Sequence, residues 1–151
     1  FAVDWAGERE STNRMHIARE YTEKWIHQQQ IRNTLGDDLL LGERYFLPFI
    51  NTFMLGMPHA LRGMLMPAGQ GLKVEVSGKF PMIWYLVREG EAWRFIEKQP
   101  TPLSASVKVP DAIAWKLFSK SVRPAEVIKE VEMKGNEKLA RAALGMVSVM
   151  A

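Results

Sequence analysis

Glu20, Glu23 and His27 stand within two helical turns of one another in "EYTEKWIHQQQIR", residues 20 to 32. Three chemistries fit two carboxylates and an imidazole set so close: a solvated polar face, half of a metal site, or an acid/base pair. At about 100° per residue, Glu20, Glu23, His27 and Gln30 fall on one arc of roughly 80°. Glu23 and His27 are four apart, so their side chains lie one above the other and reach a common point. Such a pair can grip one divalent ion, with oxygen and nitrogen donors at about 2.0–2.2 Å. A catalytic zinc site needs three protein ligands and an open position, so the pair alone does not complete one. His16 lies about 16 Å from His27 along a helix axis. His59 follows Pro58 in a different segment. Both read as ordinary polar residues. Glu20, one turn before Glu23, either accepts from the N–H of a metal-bound imidazole or is a solvated charge. Gln28, Gln29 and Gln30 spread around three sides of the helix and cannot line one site.

The elements that would hold these groups are legible. Ser11 or Thr12 caps a helix that begins near Asn13 and stops at Gly36. On it Ile17, Tyr21, Trp25, Ile31 and Leu35 share an arc that is expected to face a core. A second apolar helical segment, "GERYFLPFINTFMLGMPHALRGML", contains Pro48, which starts or kinks it, and Pro58, which ends or bends it. Its methionines and aromatics suit either a pocket lining or helix-to-sheet packing. "GLKVEVSG", "MIWYLVRE", "EAWRFIEKQ" and "SASVKVP" alternate apolar with polar residues and read as strands. Gly90 turns a hairpin between the second and third. "DAIAWKLFSK" reads as a helix capped by Asp111, "RPAEVIKE" as a helical turn with Pro124 at its first position, and "VEMKG" as a fifth strand. "NEKLARAALGMVSVM" is a closing helix capped by Asn136. The order predicts an α+β fold: long helices, then a mostly antiparallel sheet covered by helices. The change of character falls at "MPAGQG", residues 66 to 71, the expected boundary.

Composition narrows the function classes. Of 151 residues, 47% are hydrophobic and 25% charged, and the net charge is +3. That excess is small and its charges are interleaved, so no nucleic-acid partner is expected. The chain has no cysteine, which removes disulfides, thiolate zinc ligands and a cysteine nucleophile. No apolar run approaches the roughly 20 residues of a membrane span, so no membrane partner is expected either. The first residues lack a signal-peptide pattern, and a cytoplasmic location is expected. Phe1 stands where an initiator methionine would, so the chain is expected to be the rear part of a longer protein. No phosphate-binding glycine loop or serine nucleophile elbow is present. "KGNEK" resembles a phosphate-binding turn, but Asn136 as an ordinary cap explains it.

"WAGERESTNRMHIAREYTEKWIHQQQIRNTLG" and "RYFLPFINTFMLGMPHAL" resemble the mycothiol-dependent maleylpyruvate isomerase family, at the last helix of its DinB-like four-helix bundle. "SVKVPDAIAWKLFSK" and "VEMKGNEKLARAALGMVSVMA" resemble that family's sterol-carrier-like C-terminal domain. The resemblance implies a remnant bundle helix over residues 1–38 and a sterol-carrier-like α+β domain over 39–151. It implies a divalent metal, usually zinc, held by Glu23, His27 and a third histidine with no counterpart among these 151 residues. It implies mycothiol or a similar small thiol as cofactor. The intact protein would isomerise a small unsaturated acid, the metal polarising an oxygen or activating the thiol, and this chain alone would be inactive. The alternative is a non-catalytic binding or scaffold module with an apolar pocket or partner surface. Because a lone bundle helix cannot bury both sides of its apolar arc, the first helix is expected to pack on the sheet domain, on a second copy, or against a segment preceding Phe1.

Overall fold

The computed structural model describes residues 12–147. The loop expected over residues 3–11, with Ser11 as a cap, lies outside them, as do residues 148–150 of the expected closing helix. Helix α1 (Asn13–Leu35) starts where Thr12 accepts from the Met15 N–H at 3.2 Å. It ends where Gly36 takes φ +73°, a left-handed conformation that costs a residue without Cβ least. Helix α2 (Glu43–Met54) runs through Pro48; the carbonyl a proline there cannot bond is that of Arg44, an exposed residue. A short helix α3 (Met57–Ala60) follows, with Pro58 in its first turn.

Five strands then form one sheet: β1 (Gly71–Ser77), β2 (Met82–Glu89), β3 (Ala92–Ile96), β4 (Leu103–Pro110) and β5 (Glu132–Gly135), in the order β3-β2-β1-β4-β5. Three neighbouring pairs are antiparallel, whereas β1 and β4, at the centre, run parallel. Helix α4 (Asp111–Phe118) and the short α5 (Pro124–Val127) separate β4 from β5, and α6 (Glu137–Leu144) closes the described chain. The fold class is therefore the expected α+β. One expectation is corrected: Pro110 takes the N-cap position of α4, and Asp111 is its first residue, accepting from Ala112 N–H at 2.7 Å. Strand β4 runs straight into this helix, so the cap falls on the strand's last residue. Asn136 caps α6 as expected, accepting from Leu139 N–H at 3.0 Å.

Strand alternation sorts the two faces of the sheet. Leu72, Val74, Val76, Val107 and Val109 are buried beneath the helices. Their neighbours Lys73, Glu75 and Lys108 point the other way and make a charge ladder, with Lys73–Glu75 at 2.6 Å and Lys108–Glu132 at 3.4 Å. The core is one cluster from Trp25 to Met146. Trp25 is its α1 anchor: its ring lies 3.9 Å from that of Phe49 in α2 and edge-on to Trp115 in α4 at 6.1 Å.

That anchor corrects the expected core arc of α1. The helix buries Thr22, Trp25 and Gln29, while Ile17, Ile31 and Leu35 are exposed. Aligning Trp25 with the α2 aromatics turns those three away from the core. Polar contacts hold this rotation. The Tyr21 hydroxyl donates to the Tyr45 carbonyl at 2.7 Å, and Gln29 Oε1 accepts from Leu40 N–H at 2.9 Å.

Candidate ligand groove and the glutamate–histidine pair

Most of the methionine- and aromatic-rich segment is core: Phe46, Phe49, Ile50, Phe53, Met54, Met57, Leu61 and Met64 are all buried. Leu55, just past the end of α2, is not. It is 44% exposed and borders two open cavities. The first, of about 400 Å³, lies between the end of α2 and the β2–β3 hairpin, lined by Asn51, Met54 and Leu55 on one side and Trp84, Phe95 and Glu97 on the other. Register explains the aromatic wall. Trp84 pairs with buried Val74 and Phe95 with buried Leu86, so both stand on the helix-covered face. Because β3 is the sheet edge and α2 stops at Met54, Phe95 is left 37% exposed. The second cavity, of about 430 Å³, lies between α2 and the first turns of α1, with Arg14, Met15 and Ala18 facing Asn51, Thr52 and Leu55. Asn51 and Leu55 line both, so the two grooves flank one ridge. Volumes of this order and a mainly apolar wall with a few polar groups are those of small-molecule sites.

The glutamate–histidine pair is elsewhere. Glu23 Oε2 and His27 Nε2 are 3.6 Å apart, stacked one turn over the other, with side chains 35% and 70% exposed. A hollow of about 330 Å³ beside Glu23 takes in His16, Arg19 and Glu20 but not His27. Glu20 is paired with Lys24 at 3.9 Å. Among the described residues no three His, Cys, Asp or Glu side chains converge as a metal would require. Two donors are thus in place, and the described residues supply no third. On the inner side of the helix, burial raises the Tyr21 hydroxyl pKa, and the neighbouring Tyr45 adds to the rise.

Sequence reasoning missed Gln29, Leu55 and Phe95. Gln29 sat inside a glutamine run with nothing to mark it as buried. Leu55 and Phe95 alternate as core residues do, and their exposure follows from where a helix ends and which strand is the edge.

No protein-family model matches the chain, and no curated protein matches it. Solved structures similar to it include a UbiJ-SCP2 ubiquinone synthesis protein, at 20% identity and TM-score 0.43, covering 66% of this chain and 96% of that one. Sterol carrier protein 2 like 2 from Aedes aegypti is similar at 14% identity and TM-score 0.46, over 70% of this chain and 100% of that one. A stereoselective inverting sec-alkylsulfatase from Pseudomonas sp. is similar at 11% identity and TM-score 0.46, over 69% of this chain and 16% of that one. Sterol-carrier domains thus stand among the solved structures that this chain resembles. At these scores the likeness carries no argument about ligand or reaction. The isomerase part of the resemblance rests on the sequence blocks alone.

Proposed function

We propose that this chain is a binding module for a small apolar molecule, seated in the groove between α2 and the β2–β3 hairpin. The observation that carries the reading is the exposure of Leu55 and Phe95 on the walls of one cavity of about 400 Å³. Apolar side chains held open to water gain free energy when an apolar ligand covers them, at about 25 cal/mol per Å². Asn51 and Glu97 supply the polar groups that orient a ligand. The neutral dye N-phenyl-1-naphthylamine tests this. Saturable binding that quenches the tryptophan emission by energy transfer, and that Leu55→Asp and Phe95→Asp each abolish, is the expected result; Phe95 lines only the groove at the hairpin. Position 55 is 44% exposed, so the Leu55→Asp variant is expected to fold, and an unchanged circular dichroism spectrum checks it. Linear, unsaturable uptake, or a Leu55→Asp variant that binds as well as the parent, refutes the reading.

A second reading follows from Glu23 and His27: the pair as two ligands of a divalent metal, zinc by resemblance, in a thiol-dependent isomerase acting on a small unsaturated acid. Its support is the 3.6 Å stacking of the two groups. A bound metal would polarise an oxygen or activate a thiol, while Glu23 and His27 would fix its position from one helix. Zinc titration calorimetry tests it: binding that Glu23→Gln and His27→Ala each weaken supports the pair as ligands. Because the third histidine has no counterpart among these 151 residues, the titration is made on this chain and on one extended toward the N-terminus. Zinc binding unaffected by both substitutions, or no binding by either chain, ends this reading.

A further inference from the structure

The groove at the β2–β3 hairpin has one charged group on its walls. Glu97 stands one residue past the end of β3 and lines the cavity with Phe95. Among the described residues, no lysine or arginine lines it. On β3 itself, Arg94 is held by Glu89 at 3.2 Å, and Lys98 is exposed outside the groove. Glu97 has no ion-pair partner among the described residues. We infer that the occupant of this groove is a cationic amphiphile, an apolar molecule ending in a protonated amine or a quaternary ammonium. The inference rests on the proposed binding function and narrows its ligand class.

Two features of the wall favour a positive charge. The first is the unpaired carboxylate. A ligand anion in this groove would face a like charge with no counter-charge beside it, whereas a cation completes an ion pair. The second is aromatic. Trp84 and Phe95 stand on the same face of the sheet. Glu97 follows Phe95 by two, the spacing that returns a side chain to that face. Aromatic rings attract ammonium groups, tryptophan most strongly. An ammonium held between these rings and Glu97 leaves the rest of the ligand against Met54 and Leu55, on the opposite wall.

The second groove has the opposite character. Its one charged lining residue among those described is Arg14. An anionic amphiphile therefore meets a counter-charge only across the ridge of Asn51 and Leu55, away from the hairpin. The chain as a whole carries +3, which favours anions at long range. A preference for cations at the hairpin groove would thus report its local carboxylate and rings, not the overall charge.

Displacement of N-phenyl-1-naphthylamine from the 151-residue chain tests the inference. The competitors are decyltrimethylammonium and decanoate, which share a chain length and differ in charge, both used below their micelle-forming concentrations. Decyltrimethylammonium should displace the dye at about one-tenth of the concentration that decanoate needs, the combined size of an exposed ion pair and a cation–aromatic contact. Glu97→Gln should narrow that gap by about threefold, and Glu97→Lys should put decanoate ahead. Position 97 is exposed, and circular dichroism checks that both variants fold. Equal displacement by the two competitors in the parent, or an order that Glu97→Lys leaves unmoved, overturns the inference and leaves an apolar groove without charge preference. Absence of saturable dye binding defeats the groove itself, and the inference falls with it.

Discussion

Truncating Trp25 to alanine should loosen α1 from the rest of the molecule, and the structure sets the size of the effect. The ring is 4% exposed, stacked on Phe49 and edge-on to Trp115. A tryptophan buries about 150–250 Å², worth roughly 4–6 kcal/mol as an upper bound. Its indole N–H has no partner among the described residues, a penalty of about 1–3 kcal/mol that truncation removes. The net loss for Trp25→Ala is therefore about 3 kcal/mol, within the span of measured large-to-small core changes. With a urea slope of about 2 kcal/mol per M, the unfolding midpoint falls by about 1.5 M. Trp25→Phe keeps a ring on Phe49 and sheds the unpaired N–H, so its loss is about 1 kcal/mol. Urea unfolding followed by far-ultraviolet circular dichroism measures both. A shift under about 0.5 M for Trp25→Ala would show that the aromatic stack does not hold α1. Equal losses for the two variants would show that the ring stacking is not the source of the effect.

Tyr21→Phe removes the hydrogen bond to the Tyr45 carbonyl and should cost about 1 kcal/mol near neutral pH. The folded chain raises the Tyr21 pKa above its ordinary 10.0, so this contribution is complete below pH 10 and is lost as pH rises through the raised value. Urea melts at neutral and alkaline pH should show that loss in the parent and not in the variant. Gln29→Leu strands the Leu40 N–H, and a cost of about 1–3 kcal/mol is expected; hydrogen exchange should speed up at the Leu40 amide, and unchanged exchange there would sink the assignment. Gly135 has φ +80° and a Cβ there would collide with the Ser104 carbonyl, so Gly135→Ala should lose about 2 kcal/mol and lower Tm by about 4–8 °C in a thermal scan.

What could be read from the chain alone was whatever depends on near neighbours. Thr12 and Gly36 mark both ends of α1 because a cap bond and a left-handed φ are settled within a few residues. The five strands and the Gly90 turn follow from alternation and turn chemistry in the same way. The vertical stacking of Glu23 over His27 is fixed by helix geometry alone, wherever the helix is placed.

Only the tertiary structure decided how each element is turned and what it leaves open. Helix α1 has apolar residues on two sides, so periodicity could not choose between burying Ile17 and Leu35 or burying Thr22 and Gln29. The Phe49 and Trp115 rings chose by claiming Trp25, and the Leu40 N–H made a buried glutamine acceptable. The parallel pairing of β1 with β4 and the groove at Leu55 and Phe95 likewise arise where distant segments meet. Local sequence encodes hydrogen bonds and sterics over a turn or two, whereas rotation, strand order and cavities are set by contacts between residues far apart in the chain.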